Sequence, residues 1–121
     1  MKIETVKKND VTVAVVTEGA AIADAATAME LAMTVRYETG CSRIAIDKKQ
    51  VCGDFFILST QLAGEVLQKF INYRVKMAIY GDYSRYTSKP LHGFIYESNQ
   101  GNDFFFVATK EEAVEKLSAA R

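Results

Sequence analysis

From Lys2 to Gly19, KIETVKKNDVTVAVVTEG, apolar side chains stand at Ile3 and Val6 and again at Val11, Val13, Val15 and Val16, on either side of Asn9-Asp10. Two β-rich stretches around an Asn-Asp pair predict a hairpin. From Ile22 to Glu38 the period lengthens: Ile22, Ala25, Ala26, Met29, Met33 and Tyr37 recur at three and four residues, the signature of a helix with one apolar stripe. Ala28, Leu31 and Val35 widen that stripe and leave Thr27, Glu30, Thr34 and Glu38 as the polar face. The helix over 22–38 is more apolar than one buried face requires, so its flank is a candidate surface for a homodimer.

Gly40 predicts the end of that helix, and RIAID (43–47) is short, apolar and β-branched, as a buried parallel strand would be. After the loop KKQVCGDFFILS, a helix over 60–72 buries Leu62, Ala63, Val66, Leu67, Phe70 and Ile71 and pairs Glu65 with Lys69 one turn on. RVKMAIYGD (74–82) is the next strand. Ser88 or Thr87 caps a third helix with Pro90 in its first turn and Leu91, Phe94, Ile95 and Ser98 facing inward. Asn99 and Gly101 end it, DFFFVA (103–108) is the last strand, and Thr109 caps a final helix.

The order β-β-α-β-α-β-α-β-α predicts a single α/β domain spanning 1–121: an N-terminal hairpin, then βα units in a mostly parallel sheet. At 121 residues the chain can bury a core without disulfides or metals. Fifteen Lys and Arg balance fifteen Asp and Glu, so no net field favours nucleic acid or an anionic membrane. Cys41 and Cys52 fit neither a zinc set nor a CxxC motif and are expected as free thiols, and no metal or cofactor is expected. With no signal-like N-terminus and no run of about eighteen apolar residues, the expectation is a soluble, cytoplasmic protein.

Chemistry in such sheets collects beyond the carboxyl ends of the strands. Two segments are expected there, one around Asp54, Ser59 and Thr60 and one containing Asp82, Ser84, Arg85, Ser88 and Lys89. Helix-start amides with Ser88, Lys89 and Arg85 could converge on an anion. The same residues are also explained as a cap, a turn and solvated cations. His92, outward on the third helix, has no orienting carboxylate or nucleophile fixed beside it, and Cys52 has no paired histidine. Phe55 and Phe56 are expected to plug the core. Gly64, in mid-helix, costs about 1 kcal/mol relative to alanine and suggests a close approach there.

The stretch from Asp54 to Gly101 resembles the bacterial domain-of-unknown-function family 4180. Its pattern falls on Asp54, Phe55 and Phe56, on Thr60 and Leu62 to Glu65, and on Leu67 to Phe70. It continues through Asn72 to Arg74, Gly81 and Asp82, Tyr86, Ser88 and Lys89, and Phe94, Ile95 and Glu97 to Asn99. Ile57 and Gln61 depart from it, Gln61 standing where a glycine is common. The element order is also similar to that of the STAS domain, the fold of anti-sigma-factor antagonists. That likeness implies a phosphorylated hydroxyl at the start of the helix after the third strand, here Ser59 or Thr60. The resulting expectation is a non-catalytic regulatory module that binds a protein partner or a small anion at the edge built from 54–60 and 82–89. The alternative is a small enzyme or nucleotide-handling domain using the same edge.

Overall fold

The computed structural model describes residues 1–121. The hairpin pairs β1 (Lys2–Lys8) with β2 (Val11–Glu18) antiparallel. Asn9 and Asp10 both have positive φ, 55° and 63°, as a two-residue turn matched to strand twist demands. β3 (Arg43–Asp47), β4 (Lys76–Tyr80) and β5 (Phe104–Val107) then add in parallel, giving a five-stranded sheet in the order β1-β2-β3-β4-β5. The helices are α1 (Ala25–Thr39), α2 (Leu62–Asn72), α3 (Lys89–Gln100) and α4 (Lys110–Ala119).

Each crossover steps one strand in the same direction. Right-handed connections of that kind keep α1, α2 and α3 on one face. That face buries Val16, Ile44, Ile46, Met77, Ile79, Phe104 and Phe106 beneath the three helices. The alternate residues Val13, Val15, Ala45, Ala78, Phe105 and Val107 point the other way, against Ala113, Val114 and Leu117 of α4. The Arg43 guanidinium donates to the carbonyls of Leu117 and Ala120, satisfying the end of α4 and fixing it to the sheet.

Several expected boundaries shift for local reasons. α1 begins at Ala25 rather than Ile22, because Asp24 is extended and forms a reciprocal capping box with Thr27. The Thr27 backbone N–H and hydroxyl hold the Asp24 carboxyl below its usual range. Ile22 instead forms a parallel bridge to Val51. α2 starts at Leu62, after Gln61 takes φ 65°. β4 is shorter than 74–82 because Arg74, at φ 58°, is still turning. The loop after β3 is not irregular: it winds through three short 3-10 turns, Lys48–Gln50, Gly53–Phe56 and Leu58–Thr60.

The buried face of α1 is Ala25, Ala28, Leu31, Ala32 and Val35. Ala26 and Tyr37, expected inside, are exposed, and Met29 and Met33 are half-buried. Glu65 and Lys69 form no ion pair; the pairs present are Lys2–Glu18 and Lys76–Asp103. Beyond the backbone of its own helix, nothing in the chain comes within 4 Å of where a Cβ on Gly64 would stand, so the close approach expected there is absent within the chain. Both cysteines are free thiols, and no helix is long and apolar enough to cross a membrane.

The two open edges of the sheet are closed differently. β1 carries Lys2, Glu4, Lys7 and Lys8, charges that disfavour further strand pairing. On β5, both backbone groups of Phe106 are satisfied by one side chain: Asn99 Oδ1 accepts from Phe106 N at 2.8 Å, and Asn99 Nδ2 donates to Phe106 O at 3.0 Å. α3 therefore continues through Asn99 to Gln100, and Asn99 guards the edge rather than ending the helix.

Candidate functional site

β3 and β4 are neighbours, with Ile46 opposite Ile79 and Asp47 opposite Tyr80. Their carboxyl ends therefore deliver the 3-10 segment and the loop Gly81–Ser88 to one edge. Two clefts open there. One, of about 260 Å³, has no hydrophobic residue in its lining, which is Asp47, Lys48, Lys49, Gly81, Asp82 and Arg85. The other, of about 440 Å³, has Ser59, Tyr86, Thr87 and Ser88 among its polar lining and Ile57, Leu58, Pro90 and Leu91 among its apolar lining. Arg85 lines both, and it makes no hydrogen bond or ion pair within the chain.

Of the expected site residues, Ser59, Asp82, Arg85 and Ser88 line these clefts. Asp54, Thr60, Ser84 and Lys89 are exposed and line neither. Thr60 is occupied locally, its hydroxyl lying 2.8 Å from the carbonyls of both Asp54 and Ile57 and accepting from Leu62 N. Asp82 shapes its turn, with Oδ1 accepting from Ser84 N at 2.8 Å. The Ser84 hydroxyl and backbone N–H hold that carboxyl below its usual range, and the Arg85 and Lys48 charges add to the effect. Ser88 caps α3 by accepting from Leu91 N. His92 is exposed as expected, but its Nε2 lies 2.6 Å from the Tyr86 carbonyl and ties the loop to α3.

Beneath the polar cleft lies an aromatic cluster. Phe56 stacks on Tyr86 with centroids 5.3 Å apart, and Tyr83 fits against Phe56, Tyr86 and Phe106. The Tyr83 hydroxyl donates to Ile79 O at 2.6 Å, and burial pushes its pKa well above the usual phenol range. It therefore stays protonated and holds the loop, rather than moving a proton. Lys48 Nζ sits 4.8 Å from the Tyr86 ring centroid, 5.5 Å from that of Phe56 and 6.0 Å from that of Tyr83, a cation held over three π faces. These were not legible as site residues, although the pair Lys48-Lys49 at a strand's carboxyl end and the spacing of Tyr83 and Tyr86 mark the place.

Gly81 makes that placement of Lys48 sterically possible. A Cβ on Gly81 would lie 2.7 Å from Lys48 Cβ and 3.2 Å from its Cδ, too close for the backbone at Lys48 and the stem above it to stay where they are. Gly81→Ala is expected to push the Lys48 backbone and stem away and so shift Lys48 on the rings, at a cost of about 2 kcal/mol, because overpacking adds to the strain of a side chain at φ 159°. The check is the proton spectrum of Lys48: ring currents displace its Cε protons in the wild type, and they should return toward ordinary lysine values in the variant. Unchanged Cε shifts would mean that Lys48 keeps its place and residue 81 alone absorbs the added methyl.

No curated protein and no solved structure matches this chain. The family model described as "Domain of unknown function (DUF4180)" matches residues 8–117, which takes in both clefts and all four helices but the last residues of α4. By that match, extending over nearly the full sequence, the chain belongs to the DUF4180 family.

Proposed function

We propose that this chain is a non-catalytic interaction module, regulatory in role, whose sheet edge binds an anionic group flanked by apolar surface. The observation that carries this reading is the division of labour among the edge residues. The hydroxyls and carboxylates at the edge are largely committed to backbone: Asp47 accepts from Lys49 N, Asp82 from Ser84 N and Ser88 from Leu91 N, while Tyr83 donates to Ile79 O. Among the side chains that line the two clefts, the charged ones left without a hydrogen bond or ion pair are the cations Lys49 and Arg85, beside the free hydroxyls of Ser59 and Thr87, exposed Ile57 and half-buried Leu58. Cations beside apolar side chains suit recognition of a carboxylate or phosphate on an apolar body. They supply neither the nucleophile nor the poised base that the alternative enzyme reading requires.

The winding from β2 to β5, three crossovers each stepping the same way after a hairpin, supports reading the fold as STAS-like. Of the two hydroxyls that the likeness brings forward for phosphorylation, Ser59 is exposed and lines the apolar cleft with Arg85, whereas the Thr60 hydroxyl is engaged. Ser59 is therefore the better candidate, and a phosphate there would compete with an incoming anion for Arg85.

The test is a titration of the ¹⁵N-labelled chain with phenyl phosphate and, separately, with inorganic phosphate. Phenyl phosphate is expected to move the amides of Ser59, Arg85 and Tyr86 and to bind more tightly than inorganic phosphate, because its ring meets Ile57 and Leu58. Arg85→Ala should weaken it by about tenfold, the effect of one charge-assisted hydrogen bond. Shifts that persist undiminished in Arg85→Ala, or no shifts at all, would reject the site.

A further inference from the structure

We infer that the flank of α1 and the carboxyl end of α2 form a two-fold contact between copies of this chain. A groove of about 570 Å³ runs between the two helices, with Ala26, Met29 and Met33 on one side and Tyr73 on the other. Glu30 rises from the α1 wall and Lys69 from the α2 wall. One turn beyond Met33, Tyr37 is 92 % exposed and makes no hydrogen bond. A large ring in water beside an open apolar groove is a combination that a partner surface would cover.

The patch carries its own complement, and this selects a second copy as the occupant. In a two-fold interface each surface must offer what it also receives. Here one face holds a projecting ring and a groove, an anion and a cation. Glu30 and Lys69 take part in neither of the chain's ion pairs. Across a dyad, Glu30 of each copy meets Lys69 of the other, two pairs at once, while Tyr37 lies along the partner's Met29 and Met33. The formal net charge of zero leaves no overall repulsion to oppose this. None of these residues belongs to the clefts at the sheet edge, so the contact stands apart from the binding reading.

Sedimentation velocity on the full chain provides the test. The wild type at about 100 µM, well above the micromolar limit for a standard interface, is expected to run at twice the 13.4 kDa chain mass. Glu30→Lys and Lys69→Glu, made separately, each set like charges against each other across the dyad. Each should weaken self-association by about tenfold or more. Mixed in equal amounts, the two variants should restore the dimer, because one copy now presents two cations and the other two anions. Circular dichroism confirms that both variants fold. A wild type that stays monomeric overturns the inference, as do single variants that dimerise like the wild type. A mixture that remains monomeric removes the Glu30–Lys69 pairing and the proposed dyad with it.

Discussion

Replacing Phe55 by alanine is expected to lower the unfolding free energy by about 3–5 kcal/mol, the cost of deleting a fully buried aromatic ring and leaving part of its cavity. Phe55 is 1 % exposed. It packs between Phe56, Phe104 and Phe106, at centroid distances of 5.2, 6.0 and 6.3 Å. The loss is a large share of the total, since a domain of this size is stable by about 5–15 kcal/mol. The expected effect reaches the candidate site as well. The hydrogen bonds of Asp54 to Gln61 are local: Phe55 N to Cys52 O, Ile57 N to Asp54 O, Thr60 N to Ile57 O, Gln61 N to Leu58 O and Glu65 N to Gln61 O, with those of the Thr60 hydroxyl to Asp54 O and Ile57 O and from Leu62 N. This wall of the apolar cleft is therefore attached to the sheet by side-chain packing, through Phe55, Phe56 and Leu58. Urea unfolding should give a lower midpoint with an unchanged slope, and amide exchange at residues 54–61 should rise more than in β3 or β4. A midpoint shift worth under about 1 kcal/mol would show that the neighbouring rings close the cavity.

The parts of this fold that are legible in the sequence are those decided locally. Asn9-Asp10, Gly40, Ser88 and Thr109 mark a turn, a stop and two starts because each answers a backbone requirement of its own few residues. The face of α1 is not decided that way. With alanines at 25, 26, 28 and 32 and methionines at 29 and 33, the apolar stripe is so broad that its centre is set by where β3 and α2 lie, not by the period. Gln61 is instructive for the opposite reason. Its left-handed φ of 65° is a conformation that glycine adopts more readily, and nothing in the spacing of its neighbours marks the position as one that needs it.

The candidate site divides along the same line. Placing residues 54–60 and 82–89 on one edge needs only that β3 and β4 be neighbours, and they are. Placing Lys48 over Phe56, Tyr83 and Tyr86 needs the register of the two strands, because the stem crosses Gly81 just beyond the end of β4. A long side chain is aimed by what lies beside it, and composition contains no such information. Thr60 makes the same point in reverse: its hydroxyl is in the expected segment but is turned inward onto two carbonyls of the 3-10 turn.

Asn99→Ala is expected to cost about 2 kcal/mol, although the residue is only half-buried and touches neither cleft. The truncation leaves the N–H and C=O of Phe106 without partners, on a strand residue that is 4 % exposed. Each such group costs about 1–3 kcal/mol when it stays dry, and the low end applies because the edge lies near solvent. The melting temperature should fall by about 8 °C, taking roughly 4 °C per kcal/mol at this chain length. Asn99→Asp separates the two hydrogen bonds. It keeps an acceptor for Phe106 N, but at neutral pH it sets a carboxylate against the Phe106 carbonyl, so it should melt no higher than the alanine variant. The released edge has a second consequence, because an uncovered β5 can pair with a strand from another chain. Asn99→Ala should therefore aggregate on heating where the wild type refolds, and light scattering recorded with the melt would detect it. A variant that melts within a degree of the wild type and refolds cleanly would mean that water replaces the amide, leaving α3 itself to shield the edge.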